Sequence, residues 1–315
     1  MFLPFFALDG RLRSAYFLLL FIAVAASLVE ADVVVVPIAG VERYSLDKRT
    51  IARPMVAVQA RSASASDTGM LSASWTAHIR EGASSPGPDE YHDASLFATY
   101  RRGRGQMLGV FRGASDEPVV GGVRTFQAGV AFAYDVWSGA RSRLSLGGGV
   151  AGGGLGVELP DGTDVLVAPF PVVRWTWASE SVSAGVDFVT SPSVNVSARH
   201  GRSRMEGTAG FSGLRDARDL DFDVSAGMRL FDSTDRWGDV AGVYAGFRNT
   251  SWHFRRGNGA EYDANCYAPY MRVDLALVQL SAGYGFGGRE RFDGKERRMG
   301  NGVFGGVSLA LPLGG

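Results

Sequence analysis

Gly147, Gly149 and Gly152 stand at the spacing G-x-G-x-x-G inside SLGGGVAGGGLG, residues 145–156. That spacing can cradle a pyrophosphate, but only where a strand feeds the glycines and a helix N-terminus follows to hold the charge. Here Pro160 and the Asp161-Gly162 pair mark a turn, and no helical apolar period follows. A flexible linker would be polar. This stretch carries Leu144, Leu146, Val150, Leu155 and Val157 instead. It reads as a glycine-rich strand.

Other residues with chemical potential are isolated. His200 lies near Ser197 and Ser203, and a nucleophile needs a base within hydrogen-bond reach. No G-x-S-x-G accompanies them and no complete set of catalytic roles can be named, so no enzyme is expected. His78, His92, His200 and His253 are scattered singly. Cys266 is the sole cysteine, which excludes an internal disulfide and a cysteine-based metal site. No metal and no cofactor are expected. Asn195-Val196-Ser197 and Asn249-Thr250-Ser251 match glycosylation sequons, which are meaningless if the source is bacterial.

Composition narrows the class. The 315 residues include 32 basic and 32 acidic side chains, so nothing points to nucleic acid. Glycine, at 43 residues, is about twice its usual share. Arg11 and Arg13 precede the apolar run at residues 15–29, which is short of the roughly 20 residues a spanning helix needs. The run ends in Val29-Glu30-Ala31, a small-x-small cleavage site. Residues 1–31 therefore read as a signal peptide. Residues 32–69 look unlike the rest and are expected to form an N-terminal periplasmic or plug segment.

From Met70 onward, period-2 alternation dominates. In FQAGVAFAYDVW, Phe126, Ala128, Val130, Phe132, Tyr134 and Val136 share one face, while Gln127, Gly129, Ala131, Ala133 and Asp135 share the other. Such segments run about nine to thirteen residues, the length needed to cross a tilted bilayer and longer than the five or six of ordinary strands. Trp75, Trp137, Trp175, Trp177, Tyr134 and Tyr284 suit interfacial girdles. The alternation predicts an all-β, transmembrane, antiparallel up-and-down barrel over residues 70–315. The best count is 12 strands within a range of 8–14. Two segments, 181–200 and 268–286, are near twenty residues; TSPS at 190–193 and a parity switch between Leu277 and Val278 could each fold one back. Connections at 80–93, 113–124, 158–164 and 287–302 are long and polar, and those at 102–105, 138–142 and 178–180 are short.

The signal peptide, strands such as FQAGVAFAYDVW and the closing GVFGGVSLALPL at 302–313 carry a resemblance to bacterial outer-membrane β-barrel proteins of the OmpW-like and small porin-like class. The chain departs from such barrels in ending PLGG rather than in an aromatic residue. The resemblance implies location in the bacterial cell outer membrane, with membrane lipid and small solutes as partners.

Alternation also nominates lumen-facing charges: Asp135, Arg174, Asp187, Asp223, Arg229, Arg248, Arg272 and Asp274. Four are acidic and four basic, a balance that suits salt bridges across a lumen rather than a one-sign selectivity ring. Counting back from the turn Ala178-Ser179-Glu180 sets Arg174 and Asp187 side by side. The expected function is a passive pore or transport channel for small solutes. The alternative is a closed structural or host-binding barrel working through its external loops, which would contact an extracellular ligand.

Overall fold

The computed structural model describes residues 33–47, 49–63, 67–82, 89–116, 125–154, 165–189, 192–211, 220–231, 241–255 and 260–311. The signal-peptide region, and Leu155 and Val157, lie outside these residues. The described chain is a run of strands: β1 Val33–Leu46, β2 Arg49–Ala63, β3 Asp67–Gly82, β4 Glu90–Arg102, β5 Gly105–Ser115, β6 Phe126–Ser138, β7 Ser142–Gly153 and β8 Val167–Ala178. It continues with β9 Val182–Phe188, β10 Pro192–His200, β11 Ser203–Phe211, β12 Leu220–Phe231, β13 Ala241–Arg255, β14 Glu261–Leu275, β15 Val278–Phe292 and β16 Lys295–Ala310. Each strand pairs with its sequence neighbours, and β1 pairs antiparallel with β16 to close the barrel. Closure removes every edge, so all backbone donors in the wall can be met by a neighbour, as a bilayer demands.

The count is sixteen, not twelve. Two of the four additional strands come from the long segments: 181–200 is β9 and β10, and 268–286 spans the β14–β15 hairpin. The other two, β1 and β2, occupy residues 33–63, so the barrel begins at Val33 rather than at residue 70. The stretch 287–302, expected as a loop, is instead the tip of the paired β15 and β16.

Both ends of the wall's chain, Val33 and Ala310, fall at one rim. At that rim the connections are mostly short, as at 103–104, 179–181, 201–202 and 276–277. The opposite rim takes the longer connections 83–89, 116–125, 154–166 and 212–219. Barrels of this kind keep short turns on the periplasmic side and long loops outside. The two ends are therefore called the periplasmic and external rims.

Alternation puts apolar side chains outward. Val130, Phe132, Tyr134 and Val136 on β6 are all exposed, while Ala133 and Asp135 between them are buried. Phe126 to Trp137 spans about 36 Å of strand at roughly 3.3 Å per residue. At a tilt of about 40° this projects to about 28 Å, matching the ~25 Å apolar band of outer-membrane barrels. Outward aromatics mark both margins. Trp137 and Trp175 sit toward the periplasmic rim, and Phe222, Phe247, Tyr267 and Phe286 form a contiguous patch toward the external one.

The glycine-rich run forms β7, with Leu146 and Val150 outward and Gly147 and Gly149 inward. A Cβ on Gly147 would lie 2.0 Å from the carbonyl oxygen of Phe132, and one on Gly149 would lie 2.5 Å from that of Val130. At Gly147 and Gly149 the inner face of β7 thus lies against the β6 backbone too closely for any side chain. This is the close backbone approach for which strand glycines are used.

Candidate functional site: the lumen

A ring of sixteen strands is wide enough to leave an aqueous channel if it stays round. This one is pinched. β5 and β13 stand on opposite sides of the ring, yet their Cα atoms come within 8 Å. The inner faces of the external half meet through aromatic rings. Tyr91 of β4 stacks on Phe254 of β13 with centroids 4.4 Å apart, and on its other neighbour, His78 of β3, at 4.1 Å. Tyr262 of β14 stacks on Phe254 at 5.0 Å. Tyr44, Leu46, Ile51, Trp252, Tyr270 and Phe304 fill the same buried cluster. Stacking of this kind adds about 0.5–1.5 kcal/mol per pair beyond area burial.

Buried charges form arginine–acid–arginine triads, two within this packing and one toward the other rim. Glu42 of β1 accepts from Arg53 Nη1 on β2 at 3.0 Å and from Arg248 Nη1 on β13 at 3.0 Å. Arg248 also donates to Tyr44 Oη at 2.7 Å and lies 4.4 Å over the Phe304 ring. Glu290 of β15, almost fully buried, is paired with Arg49 and, at 3.9 Å, with Arg80. Arg80 in turn stands 4.1 Å over Tyr262. Asp135 of β6, near the periplasmic rim, accepts from Arg101 Nη2 at 2.8 Å and from Ser145 Oγ at 2.7 Å, with Arg143 Nε at 3.3 Å. Burying such charges is tolerable only because each acid is surrounded by donors.

The eight charges nominated from alternation stand on β6, β8, β9, β12, β13 and β14. Asp135 belongs to the third triad. Arg174 and Asp187 pair across β8 and β9, their register partners, at 2.7 Å. Asp223 lies opposite Arg248 on the β12–β13 ladder and accepts from Tyr270 Oη. Arg272 contacts Asp274 at 3.3 Å and Glu206 at 3.7 Å, and Gln279 donates to Asp274 at 3.1 Å. Arg229 shares the inward parity of Asp223 and Ser225 on β12. Sequence reasoning did not reach Glu42, Arg49 and Arg53, which lie in β1 and β2, nor Glu290, which lies in the stretch read as a loop. Their signal was present: Arg49, Ile51 and Arg53 alternate with Thr50 and Ala52, as do Glu42, Tyr44 and Leu46 with Arg43 and Ser45.

The added residues change the charge balance. Each triad has two arginines to one acid, so the lumen leans positive rather than four against four. The cations are arginines throughout; the chain has just two lysines, Lys48 and Lys295. Arginine's planar fork can serve an acid and a ring face at once, as Arg80 and Arg248 do. The serine–histidine set is not assembled. Ser197 faces inward, its Oγ 2.8 Å from that of Ser183, while His200 falls on the opposite face of β10.

No protein-family model and no curated protein matches the chain. Similar solved structures are outer-membrane proteins: a bacterial polysaccharide outer membrane secretin, with 9% identity and a TM-score of 0.39 over 90% of this chain and 99% of that one; OmpT of Vibrio cholerae, with 11% identity and a TM-score of 0.33 over 90% and 98%; and opdK of Pseudomonas aeruginosa, with 10% identity and a TM-score of 0.34 over 90% and 99%. At such values the likeness is of overall architecture only. The closed antiparallel wall, its outward apolar band and its polar inner face define the class: an outer-membrane-type β-barrel.

Proposed function

We propose that the protein is an outer-membrane channel for small polar solutes, favouring anions, with its external half narrowed by the cross-lumen aromatic packing. The observation that carries this reading is the polar inner wall of the periplasmic half. There Arg101, Asp135, Arg143, Arg174, Asp187, Arg272 and Asp274 line a sixteen-stranded ring. A barrel of that size filled only for structural reasons has no need of so many charges, which are costly inside and cheap beside water. Arginine excess favours negatively charged permeants.

The test is reconstitution of the refolded full chain into planar bilayers under a potassium chloride gradient. Discrete current steps with a reversal potential on the chloride side are expected. A folded barrel that passes no current, even under raised voltage, would defeat the channel reading. The second reading, a closed barrel acting through its external loops, draws support from the Tyr91–Phe254 contact across the lumen. It would then stand alone.

A further inference from the structure

The external end of the β14–β15–β16 wall turns arginines toward the outside of the barrel just above the aromatic patch. Two irregularities do this. The β15–β16 register shifts at Gly285/Gly288 and again at Gly288/Arg289, beside Gly287 and Gly300, whose φ values are +64° and +84°. Left-handed backbone of this kind is where glycine has no steric cost. Below the shift Phe286 points outward against Tyr267, at 6.4 Å between centroids. Above it Glu290 points into the lumen, so Arg289 points out. Arg298 is the direct cross-strand partner of Arg289, and both are exposed. Like charges placed directly opposite on a sheet repel. Arg289 Nη1 reaches Glu296 at 2.9 Å, but Glu296 is itself the cross-strand partner of Arg291, which is committed to Asp263 at 2.6 Å.

The aromatic patch beneath is continuous over four strands. Phe222, Phe247, Tyr267 and Phe286 lie 5.7–6.4 Å apart, with Phe247 and Phe286 each 39% exposed. Acyl chains would cover this surface. One rung further out, about 5–7 Å along the strands, stands the Arg289–Arg298 pair, at the depth where a bilayer changes from hydrocarbon to headgroup. We propose that this face is a binding site for a membrane lipid with a phosphate in its headgroup, seated in the external leaflet. Its acyl chains lie on Phe247, Tyr267 and Phe286, and its phosphate oxygens bridge the two guanidinium groups. Arginine forks bind phosphate in two-point geometry, and a phosphate between Arg289 and Arg298 turns a repulsive rung into an attractive one. The inference rests on the membrane reading; failure of that reading would show separately, as a chain that stays soluble without detergent.

The test uses the refolded full chain in non-ionic detergent, titrated with phosphatidylglycerol and read by native mass spectrometry. Wild type should retain one lipid through detergent removal. Arg289→Ala with Arg298→Ala should weaken retention about tenfold or more. Phe247→Ala with Phe286→Ala should weaken it severalfold. Lys295→Ala, at the hairpin tip, should leave it unchanged. If the alanine pair misfolds, Arg289→Lys with Arg298→Lys keeps the charge but loses the fork, and a smaller loss in the same direction is expected. Equal retention by wild type and either arginine double variant would overturn the proposal. So would displacement of the lipid by millimolar inorganic phosphate, which would show a site for the anion rather than for the lipid.

Discussion

Arg174 on β8 and Asp187 on β9 occupy one rung of the inner wall, and Arg174 Nε donates to Asp187 Oδ2 at 2.7 Å. The pair is partly open to the lumen, since each side chain is 24% exposed. On the proposed channel reading, the pair faces the path of a permeating ion. Removing the cation by Arg174→Ala leaves Asp187 without its cross-strand partner. A unit charge about 4 Å from an ion in water is worth about 1 kcal/mol, or up to about fivefold in relative permeability. The reversal potential of Arg174→Ala should therefore move toward cations, and that of Asp187→Asn toward anions. Shifts of the same sign in both would show that neither side chain faces the conducting path.

Tyr91 is expected to act as a bolt. Its ring is buried between His78 and Phe254, which belong to strands on opposite sides of the lumen. Tyr91→Ala removes both stacks and leaves a void in a buried cluster. Large-to-small changes of this type cost about 3–5 kcal/mol in well-packed interiors. The variant should refold less stably, and its single-channel conductance should rise as the external half opens. A drop in stability with no change in current would place the conducting path elsewhere.

The lipid face is tested on β6. Val130 points outward and is 70% exposed, and Ala131 points inward against the cluster of Leu108, Ala133 and Val172. Val130 lies near mid-strand, so Val130→Arg should cost about 2–4 kcal/mol in a bilayer folding assay. Ala131→Arg should instead act inside the lumen, by crowding Phe170 and Val110 and changing conductance. Equal folding penalties with equal currents would argue against the facing of this strand.

How far the sequence reveals this fold depends on which physical signal each strand carries. β6, β7 and β8 were legible because outward apolar residues alternate with small or polar ones over most of each strand, as from Phe126 to Val136. β1 and β2 were not. The apolar DVVVVPIAG, the charged LDKRTIARP and the small polar RSASASDTG follow one another there without one continuous alternation, and each strand also carries a proline, Pro37 and Pro54, which cannot donate to the ladder. Each proline keeps a register partner on the β1–β2 ladder, Val58 and Val41, and falls where the ladder on its other side does not run: β1–β16 pairing begins at Ile38, and β2–β3 pairing passes from Ala52 to Met55. The β14–β15 turn was visible only as a parity switch at Leu277. Its residues, Ala276 and Leu277, lack turn chemistry, and Ala276 is held at φ +48°, a conformation alanine rarely adopts. Alternation nominated charges only where it ran unbroken. Glu290 was hidden because the bulges at Gly287 and Gly300 reset the parity that alternation relies on. No pattern in the sequence reports the approach of β5 to β13, since it depends on contacts between residues more than a hundred positions apart.

The glycines of β7 give the sharpest separation between two neighbouring positions. Gly147 and Gly148 are adjacent and both lie mid-strand, yet their surroundings differ. A Cβ at Gly147 would meet Phe132 O at 2.0 Å and Ala133 Cα at 2.6 Å, both backbone atoms that cannot swing aside. At Gly148 the nearest atom would be Phe170 O at 3.6 Å, an ordinary contact. Gly147→Ala must push β7 away from β6 and break ladder hydrogen bonds, whereas Gly148→Ala only adds a methyl group to the lipid side. Overpacking against backbone costs about 1–3 kcal/mol or more, while Gly→Ala at a compatible site is neutral or gains about 0.4–1 kcal/mol from the unfolded chain. Gly147→Ala should therefore lower the yield of heat-resistant folded barrel and Gly148→Ala should not, as read by the shift in electrophoretic migration on boiling. If Gly148→Ala proves the more damaging of the two, the inner face of β7 has been assigned to the wrong side, and the register of the β6–β8 wall would have to move by one residue.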